Sequence, residues 1–281
     1  MLIFKHKNKL QDYFKIERRH NTKIGFVPTM GSLHEGHLQL IRESTKICRL
    51  TVCSIFVNPT QFNKKNDFKS YPRDIGKDIK ILRNDTKCDI LYIPETSDLY
   101  EKGEEINQYD FKCLDILMEG IYRPNHFNGV ATVLEKFFHI IKPDIAFFGQ
   151  KDLQQLQIVK RLVSILDMEI KVVGVSTKRE KNGIAMSSRN SLLNNKQREE
   201  ALKLYTALQY CKQNRKDTVE DLKSHIISTF EKNPMINLDY IEFVNLETLC
   251  PIEQIPIFTK KSAICIAAYV GDVRLIDNII L

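Results

Sequence analysis

Short apolar runs alternate with stretches of helical spacing through the first two-thirds of the chain. The runs at 23–27, 50–56, 89–93, 145–148 and 170–175 are rich in Val, Ile, Leu and Phe and read as buried strands. A helix is predicted over 38–48. Another is predicted over 128–141, where Val130, Val133, Leu134, Phe137, Phe138 and Ile141 share one stripe and Pro143 ends the pattern. The segment 152–166 carries a similar stripe from Leu153 to Leu166. Strands alternating with helices predict an α/β fold, a Rossmann-like parallel sheet flanked by helices, with ligands at the carboxyl ends of its strands. After about Arg189 the order changes. Two amphipathic helices at 196–213 and 218–232 precede three strands at 239–245, 263–269 and 273–280, the mark of a smaller C-terminal α+β domain. The polar turn Lys181-Asn182-Gly183 is the expected boundary, giving domains 1–182 and 183–281, the second acting as a lid.

Composition narrows the classes of function. The chain has 281 residues, 43% hydrophobic and 27% charged, which suits a globular protein with a substantial core. Its seven cysteines are scattered without a Cys-x-x-Cys pair, so reduced thiols in a cytoplasmic protein are expected, not a zinc site or a disulfide framework. The apolar start Met1-Leu2-Ile3-Phe4 meets Lys5 and Lys7 at once, too short for a leader, and no run reaches membrane-spanning length. The net charge of +7 is dispersed, with only short clusters such as Lys64-Lys65, Lys178-Arg179 and Lys260-Lys261. No basic stripe interleaved with aromatics argues for nucleic acid, and a modest positive excess suits anionic substrates.

The segment Pro28-Thr29-Met30-Gly31-Ser32-Leu33-His34-Glu35-Gly36-His37 stands between a predicted strand and a predicted helix. A strand that turns through glycines into a helix start offers backbone N–H groups and a positive dipole end to an anion. His34 and His37, three apart, fall on one face of the first turn and can both donate to one polyphosphate. Gly31 and Gly36 remove side chains where backbone and nucleotide come close. No Gly-Lys-Ser/Thr closes the loop, so it is not a P-loop; it is the His-x-Gly-His form used by adenylyl-transferring enzymes. Further sets follow at strand ends. Asn58 and Gln61 are neutral donor–acceptor groups suited to hydroxyls and carboxylates. Gly120 to Phe127 precedes the strongest helix. Lys151 offers a point charge for phosphate, Asp152 an acceptor pair for ribose hydroxyls, and Met186-Ser187-Ser188-Arg189 two hydroxyls with a guanidinium fork.

Taken in order, these segments resemble the pantothenate synthetase (pantoate–β-alanine ligase) family. The resemblance rests on Pro28–His37, on Phe56-Val57-Asn58-Pro59-x-Gln61-Phe62, on Tyr71-Pro72-Arg73, and on Arg123-Pro124-x-His126-Phe127-x-Gly129-Val130. It continues through Phe148-Gly149-x-Lys151-Asp152-x-Gln154-Gln155, Met186-Ser187-Ser188-Arg189-Asn190 and the terminal Arg274 to Asn278. Ser32, Gln150 and Ile184 depart from the pattern, where Ala, Glu and Leu are expected. The resemblance implies an ATP-dependent ligase that makes pantoyl adenylate and then pantothenate, with ATP and Mg²⁺ required and a homodimer as the assembly. It implies His34, His37 and Lys151 as catalytic groups. It implies Met30, Gly31, Gly36, Gly149, Asp152, Lys178, Met186, Ser187, Ser188 and Arg189 with them at ATP, and Met30, Asn58, Gln61, Arg123, His126 and Gln155 at pantoate or β-alanine; no protein metal ligand is assigned. Two other readings use the same fold: a nucleotidyltransferase adenylylating a phosphorylated acceptor such as phosphopantetheine, and a non-catalytic adenine-nucleotide sensor.

Overall fold

Six parallel strands form the first sheet, in the spatial order β1-β4-β3-β2-β5-β6. The structure, a computed structural model, describes residues 1–63, 65–253 and 261–281, so Lys64 and Lys260 of the basic clusters lie outside the described residues. In chain order the elements of this unit are β1 (Leu2–Phe4), α1 (Lys7–Glu17), β2 (Ile24–Thr29), α2 (Glu35–Ile47), β3 (Leu50–Ile55), α3 (Lys65–Ser70), α4 (Ile75–Asp85), β4 (Ile90–Tyr92), α5 (Thr96–Leu99), α6 (Glu119–Tyr122), α7 (His126–Ile141), β5 (Ile145–Gly149), α8 (Leu153–Ile165) and β6 (Lys171–Val175). The chain builds outward from β2 through β3 and β4, then returns to pair β5 with the other side of β2, Gly25 opposite Ile145 and Phe26 opposite Ala146. That reversal opens a crevice beyond the carboxyl ends of β2 and β5, where such sheets bind ligands.

All five predicted strands of this sheet are present, and β1 is an additional edge strand whose Leu2, Ile3 and Phe4 pair with Ile90, Leu91 and Tyr92. The helix predicted from residue 38 begins at Glu35, because His34 caps it. The helix predicted over 128–141 starts two residues earlier and is buried almost all round, not only along its stripe. The cause is its place: α7 lies under the sheet with α1 and α8 on its flanks, so Asn128, Gly129 and Thr132 are enclosed as well.

The C-terminal unit holds α9 (Asn195–Gln213), α10 (Val219–Glu231) and an antiparallel meander of β7 (Ile236–Asn245), β8 (Ser262–Val270) and β9 (Val273–Ile280). Alternation along the central strand β8 divides it between two cores. Ala263 and Cys265 join the core under the parallel sheet, whereas Ile264, Ile266, Ala268 and Val270 pack with α9 and α10. The antiparallel sheet is therefore mortised into the first unit.

Candidate active site

Loops from the carboxyl ends of four parallel strands converge on a cleft of about 1270 Å³, open to solvent on one side. Met30 follows β2; Asn58 and Gln61 follow β3; Gly149 ends β5, and Lys151 and Asp152 follow it; Ser176, Thr177 and Lys178 follow β6. Met186, Ser187, Ser188 and Arg189 close it from the side of the C-terminal unit.

The two histidines form a reciprocal cap. The Gly36 amide donates to His34 Nδ1 (3.1 Å), and the His34 amide donates to His37 Nδ1 (3.3 Å). Their ring centroids are 4.1 Å apart. With both Nδ1 lone pairs engaged, each neutral ring carries its proton on Nε2, which is left as a donor to the cleft. Desolvation and the Lys151 charge lower His34 to about 4. Desolvation, then His34 and Lys151, hold His37 well below its ordinary value. Both rings are thus neutral hydrogen-bond donors near pH 7 beside a cationic lysine. Gly36 is required by the cap itself, since a Cβ there would lie 2.8 Å from His34 Cε1.

The loop before the cap is held by a residue that the sequence did not reveal. Asp78 of α4 is 2% exposed; its Oδ2 accepts from the Ser32 amide (2.9 Å) and its Oδ1 from the Leu33 amide (2.8 Å). Gly31 (φ +80°) and Ser32 (φ +51°) both take left-handed backbone to reach it. A Cβ on Gly31 would sit 2.9 Å from Asp78 Oδ2. Gly31 therefore serves this turn, and it is not among the cleft-lining residues. Ser188 Oγ donates to the Ser32 carbonyl (3.0 Å), tying the 187–189 segment to the same loop.

On the opposite wall the neutral amides are oriented by their neighbours. Asn58 is 1% exposed; its Nδ2 donates to the Gly129 carbonyl (3.0 Å) and to Gln61 Oε1 (3.2 Å), and its Oδ1 accepts from Tyr100 (2.9 Å). Gln61 consequently turns its Nε2 toward Met30 Sδ (3.1 Å). Asn58 lines the cleft, yet its polar atoms are spent on this bracing. The paired glutamines of α8 separate in role. Gln154 is buried and donates to the Leu114 (2.7 Å) and Leu117 (2.8 Å) carbonyls, while Gln155 lines the cleft. Arg123 and His126 lie in an adjoining cavity that meets the cleft at Lys151, Asp152 and Gln155. His126 donates from Nδ1 to the Gln61 carbonyl (2.7 Å), and burial lowers it to about 3, so it acts as a neutral strut behind Gln61.

Lys151 is 16% exposed, with Nζ 4.0 Å from Asp152 Oδ1. Its backbone is gripped from the C-terminal sheet: Asn278 Nδ2 donates to the Gln150 (2.9 Å) and Lys151 (2.7 Å) carbonyls. Beside it Asp277 takes a two-point ion pair from Arg179 (2.6 and 2.9 Å). Tyr71, its ring 5.8 Å from the Arg189 guanidinium carbon, is a further cleft residue beyond those expected from sequence. The whole cleft thus sets cationic and neutral donors around a space for polyanions, opposite a wall of neutral amides and thioether.

The chain is similar to known proteins over nearly its whole length. The family model described as pantoate-beta-alanine ligase matches residues 2–280. The chain is 44% identical over 268 residues to the pantothenate synthetase of Thermosipho melanesiensis, covering 92% of this chain and 91% of that protein. A crystal structure of pantothenate synthetase from Thermus thermophilus superposes with a TM-score of 0.90 at 34% identity, covering 100% and 99% of the two chains. The pantoate-beta-alanine ligase from Francisella tularensis, complexed with beta-gamma ATP and beta-alanine, superposes with a TM-score of 0.81 at 34% identity, over 100% of this chain and 97% of that one.

Proposed function

The chain belongs to the pantoate–β-alanine ligase family, and from that premise we propose how its cleft divides the work of the reaction. The enzyme joins pantoate to β-alanine, giving pantothenate, and in our reading it cleaves ATP to AMP and pyrophosphate. A carboxylate does not acylate an amine at neutral pH, because oxide would have to leave. In our reading, a pantoate carboxylate oxygen attacks the α-phosphorus of ATP, the bond to the β-phosphate oxygen breaks, and pyrophosphate departs. The amine of β-alanine then attacks the acyl carbon of the adenylate and AMP leaves with the bridging oxygen.

The observation that carries this reading is the reciprocal histidine cap, which leaves two neutral Nε2–H donors beside Lys151 at a helix N-terminus. Transition-state charge gathers on phosphoryl oxygens, so fixed donors serve better than a base. Lys178, Ser187, Ser188 and Arg189 add donors from the other side of the triphosphate, with Gly149 and Asp152 at the nucleoside. Gln61, its amide turned by Asn58 toward Met30, and Gln155 would hold pantoate. A neutral amide orients the nucleophilic carboxylate without the two-point ion pair by which an arginine would quench it. Arg123 and His126 belong, in this reading, to the shell behind Gln61 and to the adjoining cavity.

Mg²⁺ would enter with ATP: among the described residues no group of three or more His, Cys, Asp or Glu side chains could hold a metal, and an ion on phosphate oxygens and water suits that donor set. Its part would be to neutralise charge on the phosphates. We place the boundary between the units at 182/183. The part that covers the nucleotide is the 183–190 segment, which Ser188 already links to Ser32. A cytoplasmic homodimer belongs to the same reading; among the described residues no helix is long and apolar enough to cross a membrane. The test is isotope exchange. With ATP, Mg²⁺ and D-pantoate but no β-alanine, labelled pyrophosphate should enter ATP at a rate that depends on pantoate; exchange that ignores pantoate, or none, contradicts the reading.

A further inference from the structure

Five of the seven cysteines (48, 53, 88, 211 and 265) are buried. The other two meet at the surface from opposite units: Cys113 Sγ and Cys250 Sγ are 3.9 Å apart across 137 residues of sequence. Cys113 is half-buried and Cys250 exposed. Both backbones are pinned. Cys113 lies between the buried Phe111 and Leu114, in the segment whose Leu114 and Leu117 carbonyls hold Gln154. Cys250 follows the fully buried Leu249, and its carbonyl accepts from the Asn245 amide (3.0 Å). The sulfurs face each other because both units fold as they do, not because a flexible tail brings them together.

We propose that Cys113 and Cys250 are a modification site, a thiol pair that a low-molecular-weight disulfide converts reversibly into a cross-link between the two units. A disulfide needs its sulfurs about 2.05 Å apart, so the observed pair, 3.9 Å apart, must close by roughly 2 Å. The exposed Cys250 reacts first: its thiolate attacks one sulfur of the small disulfide, forming a mixed disulfide and expelling one thiolate, which takes up a proton. Cys113 then loses its proton and attacks Cys250 Sγ, expelling the second small thiolate. Two protein thiols are oxidised and one small disulfide is reduced to two thiols. Burial and the neighbouring Cys250 sulfur raise the Cys113 pKa, so the first attack falls to the exposed Cys250. The bond would close a loop of more than a hundred residues and join the C-terminal sheet to the segment that carries Gln154, restricting the unfolded chain.

Reduced full-length protein incubated with oxidised glutathione tests the pair. The intact mass should fall by two hydrogens per chain, and digestion should yield one linked peptide containing Cys113 and Cys250. The melting temperature should rise and return to its starting value with dithiothreitol. Cys250→Ser should leave the mass unchanged, while Cys113→Ser should stop at the glutathione adduct on Cys250. Both positions reach the surface, so either variant should fold. A persistent adduct on the wild-type protein, a bond between Cys250 residues of two chains, or unchanged thiols under this treatment would overturn the proposal.

Discussion

His34→Ala and His37→Ala are each expected to lower pantoate-dependent pyrophosphate exchange about 10²–10³-fold, the usual cost of one preorganised donor at developing oxyanion charge. The capping geometry sharpens the expectation. Asn is a strong N-cap, so His34→Asn should keep the helix start by accepting from the Gly36 amide while removing the distal Nε2–H donor. Its melting temperature should stay near that of the parent as its exchange rate collapses. Gln at position 37 can accept from the His34 amide and still present an amide N–H, so His37→Gln should retain more activity than His37→Ala. The pH response carries a sign. His34 is lowered to about 4 from 6.5, so the unfolded chain binds more protons between those values. That contribution to stability is complete above about 6.5 and is lost as pH falls toward 4. The exchange rate, by contrast, should show no histidine limb between about pH 5.5 and 7, since both rings are already neutral there. A rate limb centred near 6.5, or normal exchange in both alanine variants, would remove the histidines from their assigned role.

Arg274→Ala should have the largest effect on stability. Arg274 of β9 holds Glu119 through two bonds (2.6 and 2.9 Å) and Asp239 through a third (2.7 Å), and Tyr240 donates to Glu119 as well (2.9 Å). All three charged side chains are largely enclosed, at 17%, 10% and 11% exposure. Burial alone would push the Glu119 carboxyl up, but the guanidinium keeps it below its ordinary value. Removing Arg274 leaves two enclosed carboxylates without their cation, and breaking such a cluster from one side costs about 3–5 kcal/mol. Thermal melting should report this as a marked drop, relieved when Glu119→Gln is added, because the second change removes one stranded charge. An unchanged midpoint for Arg274→Ala would mean that water already screens the cluster.

The parts legible in the sequence were those encoded locally. The strand–glycine–histidine–helix unit declares itself within a single short segment, and the five longer apolar runs became strands of the parallel sheet. β1 was illegible because three residues are too few to show a period; only its pairing with β4 makes Leu2–Phe4 a strand. Asp78 gave no signal, since a carboxylate four residues after Asp74 on an amphipathic helix reads as a solvated face, and its amide partners lie 45 and 46 residues away. In the sequence Asn278 stands only as part of a terminal motif. Its grip on the carbonyls of Gln150 and Lys151 spans 128 and 127 residues and depends on the C-terminal sheet packing against the first. Asn58 is expected at the site for its neutral amide and His126 from the family resemblance, and in the structure the polar atoms of both are directed at Gln61. A polar residue type can be read from one line of text, whereas the direction its atoms face is fixed by contacts from distant elements.

The central claim, that pantoate is activated as an adenylate, has an atom-level consequence. If a carboxylate oxygen of pantoate attacks the α-phosphorus, that oxygen becomes the bridge of the adenylate and leaves with the phosphate when β-alanine takes the acyl group. A single turnover of carboxylate-labelled [¹⁸O]pantoate with ATP and β-alanine, read by mass spectrometry of the nucleotide, should therefore give AMP carrying one ¹⁸O. Label in inorganic phosphate with release of ADP would indicate an acyl phosphate instead, and unlabelled AMP would show that the carboxylate never bonded to the α-phosphorus.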